Sequence, residues 1–287
     1  MQIDEHVPLA PKTTMRIGGE ARFYAEPTTK KEVEEAATFA EEKGLPLILI
    51  GGGSNTIFAD EEINAVIMRI KAEDVSVDGA TITVQAGKYL PVLVNELADQ
   101  RLNLAPLTGI PGSIGGAVVG NAGQGPRGIW IDSVVDSVTA FVDGEWKTFS
   151  KDECDFAYRE SAFKKMYPAP IIWEVQLTVP QGDPTKIKTE VEFTLRQRIE
   201  TQPHVKTSGS CFKAIGNTPA WQLIDAVQLR GEKVGGVQIS EKHANFLINE
   251  GNATFVDVVS LIEKVQSTVS EPLEVEMRLI QEDGTAL

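Results

Sequence analysis

Two glycine-rich stretches constrain this chain more than any other feature. The first, Gly51-Gly52-Gly53-Ser54-Asn55, follows directly on a short apolar run, Leu45–Ile50. The second, Gly109–Gly123, reads GIPGSIGGAVVGNAG and holds six glycines in fifteen residues. Glycine adopts positive φ without a steric penalty and lets the backbone come close to a neighbour. A strand that runs into such a loop presents successive N–H groups, which suit an anion. The first run lacks the third glycine of the dinucleotide fingerprint, because Ser54-Asn55 stand in its place, so a Rossmann reading is weak. Pro111 fixes a turn in the second run. Together the two read as a backbone cradle for a phosphate-bearing cofactor.

The length, 287 residues, leaves room for two domains or one large one. A net charge of −14 repels a nucleic-acid backbone, so no nucleic-acid partner is expected. An anionic ligand must then be held by local Arg, Lys and N–H groups. No apolar run reaches the roughly 18 residues needed to span a bilayer. The opening MQIDEHVPLAPK has neither the basic start nor the apolar stretch of a secretory signal, and a cytoplasmic protein without membrane attachment is expected. Cys154 and Cys211, with His6, His204 and His243, are scattered without metal-ligand spacing, so no metal is expected.

The periodicities alternate between helix and strand. Helical spacing covers 30–44, ending at Gly44, then 89–101, 185–200, 219–229 and 254–269. Strands are expected at 45–50, 65–70, 75–77, 81–86, 134–142, 145–149 and 171–179, near Val237 and Phe246, and over 273–280. Asp78-Gly79 and Asp143-Gly144 mark two hairpins. The texture changes at Gln181-Gly182-Asp183-Pro184. The expected fold class is α+β, with a domain over 1–199 and a smaller one over 200–287.

Further runs fall into line with the glycine segments. They are Thr14–Gly19, Tyr158-Arg159-Glu160-Ser161, Gly209-Ser210-Cys211-Phe212-Lys213, Lys242–Phe246 and Glu276-Met277-Arg278. In this order, over nearly the whole chain, they resemble the UDP-N-acetylenolpyruvoylglucosamine reductases, flavoproteins that complete UDP-N-acetylmuramate for peptidoglycan. The chain is similar to the shorter type of the family, which lacks an extra substrate loop.

The resemblance implies a two-lobed FAD-binding domain of the vanillyl-alcohol-oxidase-like type, with lobes of about 1–70 and 71–183 and a connecting helix, followed by a substrate-binding domain. FAD would be held noncovalently, since no His or Cys for covalent attachment lies in 7–153. By motif, the cofactor-binding residues are Ile17, Gly18, Gly51, Gly52, Gly53, Ser54, Asn55, Gly109, Ile110, Pro111, Gly112, Ser113, Ile114, Gly116 and Asn121. Tyr158 and Lys213 would contact substrate. NADPH would give a hydride to flavin N5, which passes it to C3 of UDP-N-acetylglucosamine enolpyruvate. The catalytic residues implied are Arg159, Ser210 and Glu276. Arg159 suits the substrate carboxylate, because its guanidinium is a permanent cation with a fork of donors. Glu276 would help to hold the enolate-like group. Ser210 would protonate C2, and a serine must be polarised to do so; Lys213 is one candidate. No obligate protein partner is indicated.

The chain departs from the family pattern at three places. Residues 124–128 replace the family's usual Ala-Tyr-Gly continuation, Ala214-Ile215 replace Asn-Pro, and Trp221-Gln222 replace Gly-Lys. A flavin oxidase of the same fold and a flavin-binding module without catalysis remain as other readings. The first needs a base at the flavin that the sequence does not offer. The second fits the departures but not the retained Arg159, Ser210 and Glu276.

Overall fold

The computed structural model describes residues 1–124 and 129–287. These divide into two compact units that do not follow chain order. The first holds residues 1–3, 25–52 and 66–198; the second holds 4–24, 53–65 and 199–287. One switch between units falls between Arg198 and Ile199. Two early segments nevertheless group with the end of the chain, a feature that no local pattern announces.

The first unit is built on a five-stranded antiparallel sheet in the order Val75–Asp78, Thr81–Gln85, Ile171–Thr178, Val135–Val142, Glu145–Ser150. Both hairpins form where expected. Gly79 turns one at φ 62°, and Asp143 and Gly144 turn the other at 51° and 80°. Two consecutive positive φ values match the right-handed twist of the flanking strands. The core gathers Val84, Leu93, Leu97, Ile114, Val118, Val138 and Val175, so helix Leu90–Asp99 and helix Ile114–Val119 bury their apolar sides with the sheet.

Helix Ile114–Val119 lies inside the glycine run, where the sequence predicts only a loop. Its two internal glycines each cost about 1 kcal/mol of helix propensity. Ser113 offsets part of this by capping, with Oγ accepting the Gly116 amide at 3.4 Å, and burial of Ile114 and Val118 supplies the rest. Helix Lys30–Lys43 is the opposite case. Thr29 and Glu32 form a reciprocal capping box, Gly44 ends the helix at φ 63°, and Val33, Ala36 and Ala40 share its buried face. A parallel pair, Leu47–Leu49 with 66–68, completes this unit.

The second unit has a four-stranded antiparallel sheet in the order Thr207–Ser210, Phe246–Asn249, Val237–Ile239, Lys233–Val234. Helix Phe255–Thr268 carries a second capping box, Thr254 with Asp257. Arg278–Ile280 pairs in parallel with Thr56–Phe58. The strand expected over 273–280 is therefore mostly absent as a ladder. Residues 274–276 spend their backbone groups on the segment 211–213: Lys213 N–H donates to Glu274 O at 2.9 Å and Glu276 N–H to Cys211 O at 2.8 Å.

Candidate active site

In the first unit Gly51 and Gly52 lie against the second glycine run. A Cβ on Gly52 would stand 2.7 Å from Gly112 Cα, and one on Gly51 would stand 2.7 Å from Ser113 Oγ. These glycines allow one loop to touch the other. Gly115 is also a packing residue, since its Cβ would lie 3.0 Å from Ala86 Cβ. Gly123 sits under the Trp130 ring. Gly116 differs: it is exposed, and a Cβ there would meet nothing nearer than 3.6 Å. The side chains of Ile110 and Ile114 belong to the core, whereas Pro111 is exposed. The run thus turns an open face at Gly116 toward solvent while its remaining side chains hold the loop. Beside it, Thr108 Oγ1 is buried and has no hydrogen-bond partner among the described residues.

The Tyr158–Ser161 segment is fastened to the end of this run at two points. Asn121 Nδ2 donates to Ala157 O at 2.9 Å, and Ser161 Oγ donates to Val119 O at 2.8 Å. Asn121 is 1% exposed, and its Oδ1 accepts the Asp132 amide, so its carboxamide serves the protein itself. Between the anchors Arg159 adopts φ 59°. Left-handed backbone at a large side chain persists only where the surroundings enforce it. Arg159 Nη2 donates to Gly123 O at 3.1 Å, and its guanidinium lies 5.5 Å from the Tyr158 ring. A second arginine, Arg198, stands close by. Its side chain covers Gly109, whose Cβ would lie 2.8 Å from Arg198 Cδ. Burial, and then the Arg159 charge, lower the pKa of Arg198. Two half-buried guanidinium groups in one place suit an anionic group. The sequence reading missed Arg198, because it sits in a helix that reads only as a charged connector.

In the second unit Gly53 has φ 67°, and its carbonyl accepts the Thr14 amide at 3.0 Å. The Thr14 hydroxyl reaches Thr207 O at 2.6 Å. Ile17 is buried to 2% exposure, Gly18 has φ 137°, and Ser54 is half-buried. Asn55 is tied to the segment that carries Glu276: its Nδ2 donates to Glu276 O at 3.1 Å, and its carbonyl accepts the Arg278 amide at 2.9 Å. Ser210 and Glu276 are half-buried and belong to facing segments, joined through Cys211. Burial raises the Cys211 thiol pKa well above its ordinary value, and the Glu276 carboxylate adds to the effect. Lys213 is 8% exposed, with Nζ 2.6 Å from Glu274 Oε1. That ammonium is engaged by a carboxylate, which weakens its claim to polarise Ser210. The departure at Trp221 places an indole edge-on to His243, with centroids 6.2 Å apart.

The departure over 125–128 lies outside the described residues. Among the described residues no cluster of His, Cys, Asp and Glu could hold a metal ion, and no helix is long and apolar enough to cross a membrane.

Comparison with known proteins resolves the pattern. Residues 21–150 match the FAD binding domain family, and residues 201–280 match the C-terminal domain of UDP-N-acetylenolpyruvoylglucosamine reductase. A reductase of that name from Moorella thermoacetica is 35% identical over 282 residues, covering 97% of this chain and 92% of that protein. Another from Clostridium botulinum is 36% identical over 290 residues, covering 98% and 93%. The crystal structure of the reductase from Thermus caldophilus superposes with a TM-score of 0.84 at 32% identity, over 97% of this chain and 99% of that one. The chain belongs to the UDP-N-acetylenolpyruvoylglucosamine reductase family.

Proposed function

We propose that this protein is the NADPH-dependent FAD reductase that converts UDP-N-acetylglucosamine enolpyruvate to UDP-N-acetylmuramate in the cytoplasm. The observation that carries the reading is one short lacing in the second unit, which joins Ser210 to Glu276 through the backbone of Cys211. It occurs in a chain whose relatives carry that name over nearly their full length.

The residues fit FAD. Gly116 leaves an open face, the Thr108 hydroxyl awaits a partner among the described residues, and Arg159 and Arg198 supply positive charge. By motif, Ile17, Gly18, Gly51–Asn55 and Gly109–Ile114 would hold it with Gly116. Bound FAD supplies the two-electron chemistry between NADPH and substrate. The protein's own part is at C2 and at the carboxylate of the enolpyruvyl group. Arg159 offers parallel N–H donors to the carboxylate as charge grows on it. Ser210 gives its hydroxyl proton to C2. Glu276 orients that end of the substrate. Tyr158 and Lys213 are assigned contacts with the nucleotide sugar, and no protein partner is assigned.

The test is direct. Purified protein supplied with FAD, NADPH and the enolpyruvyl nucleotide should consume NADPH and release UDP-N-acetylmuramate in equal amounts, identified by mass. Oxidation of NADPH that leaves the nucleotide unchanged would show an oxidase instead.

A further inference from the structure

We infer that Asn245 is a positioning residue for proton delivery: its carboxamide clamps the Phe212 peptide and so sets Ser210 against Glu276. This rests on the reading of Ser210 as the proton donor.

Strand Thr207–Ser210 cannot hold Ser210 through its ladder alone. Pairing with Phe246–Asn249 shifts register between Thr207 and Ser210, and Gly209 has φ 77°. Beyond Ser210 the chain leaves the ladder, and Asn245 takes over. Its backbone carbonyl accepts the Cys211 amide at 2.8 Å. Its Oδ1 accepts the Phe212 amide at 2.9 Å, and its Nδ2 donates to Phe212 O at 2.9 Å. One side chain thus serves both polar groups of one residue, as a neighbouring strand would. On the other side Glu276 N–H donates to Cys211 O at 2.8 Å. A shift of residues 211–213 therefore changes how Ser210, which precedes Cys211, stands against Glu276, which is bonded to it. Asn245 is only 6% exposed, so water cannot replace a lost bond cheaply.

The clamp needs one acceptor and one donor. Asn245→Asp tests this, because a protonated carboxyl supplies both whereas a carboxylate only accepts. A carboxyl buried beside a peptide carbonyl titrates above its ordinary value of about 3.9. Rapid mixing follows flavin reduction by NADPH and flavin reoxidation by the enolpyruvyl nucleotide separately, from about pH 8 to about pH 5. The readout is the variant-to-wild-type ratio at each pH. The charged and titratable groups near the segment, His243, Cys211, Lys213, Glu274 and Glu276, are present in both proteins, and Asn245→Ser, which adds no ionisable group, is carried through the same pH series as the control for any change in them. We expect reduction at the wild-type rate throughout. Reoxidation should be slowed on the order of 10²-fold at high pH, the cost of an ångström-scale misplacement, and should recover as pH falls. Amide exchange at Cys211 and Phe212 should quicken at high pH and return to the wild-type rate in parallel.

A reoxidation ratio that stays flat with pH, or a variant that reoxidises at the wild-type rate at pH 8, overturns the proposal. Should Asn245→Asp unfold at high pH, Asn245→Ser, with a shorter donor and acceptor, is expected to slow reoxidation alone; equal loss in both halves overturns the clamp. Ser210→Ala separates this from the underlying reading. If Ser210→Ala reoxidises normally, Ser210 is not the donor and both ideas fall. If Ser210→Ala is slow and Asn245→Asp is not, only the clamp falls.

Discussion

Gly209, beside Ser210, takes φ 77° freely, whereas Arg159 holds φ 59° at a large side chain. The conformation at Arg159 costs roughly 1–3 kcal/mol and needs surroundings that enforce it. For Arg159 the enforcement is visible in Asn121 and Ser161, which anchor the loop on either side. Asn121→Ala should therefore destabilise the fold by about 1–3 kcal/mol, as expected for buried groups left unpaired. It should also raise KM for the enolpyruvyl nucleotide through a displaced Arg159. Urea unfolding and steady-state kinetics check the two effects, and an unchanged KM would separate the loop anchor from substrate binding. Ser210→Ala should leave flavin reduction by NADPH intact and slow reoxidation by about 10²–10⁴-fold, the usual worth of a placed proton donor. Stopped-flow absorbance distinguishes the halves. A variant that fails instead at flavin reduction would move Ser210 to the nicotinamide or FAD site.

At the scale of elements, the glycine run Gly109–Gly123 holds two kinds of glycine that look alike in the sequence. A Cβ on Gly115 would meet Ala86 Cβ at 3.0 Å, whereas one on the exposed Gly116 would meet only ordinary contacts, from 3.6 Å. The two therefore call for different tests, because protein packs against Gly115. Gly116→Val should keep the fold and lose FAD, read as flavin absorbance after gel filtration. Gly115→Val should instead lower stability by roughly 1–3 kcal/mol through overpacking, measured as the urea midpoint of the apoprotein. A flavin-replete Gly116→Val would remove that face from the cofactor site. The capped helices were legible because their signals are local: Thr29 with Glu32, Thr254 with Asp257, and Gly44 as terminator. The helix Ile114–Val119 was not, since its propensity is poor and burial forms it.

For the molecule as a whole, no His or Cys lies between His6 and Cys154 to make a covalent flavin link. Acid precipitation of the holoprotein should release all flavin to the supernatant; yellow pellet would contradict this. Because only the folded chain binds FAD, added cofactor should raise the melting temperature. Free FAD at 100 times its Kd adds about 2.7 kcal/mol of stability. A melting temperature indifferent to FAD would count against a preformed site.

The sequence by itself determined the class of the fold, the two hairpins, the capped helices and the order of motifs that marks the family. Each depends on residues within a few positions of one another, where backbone preference and side-chain capping act directly. Tertiary structure alone decided the rest. Segments 4–24 and 53–65 join the C-terminal residues through contacts across more than a hundred positions, such as Thr14 to Thr207 and Asn55 to Glu276. Arg198 stands at Arg159, and Asn245 grips Phe212, only because the folded chain brings them there. No periodicity encodes such meetings. They follow from which apolar faces are buried and from the demand that each buried N–H and C=O find a partner.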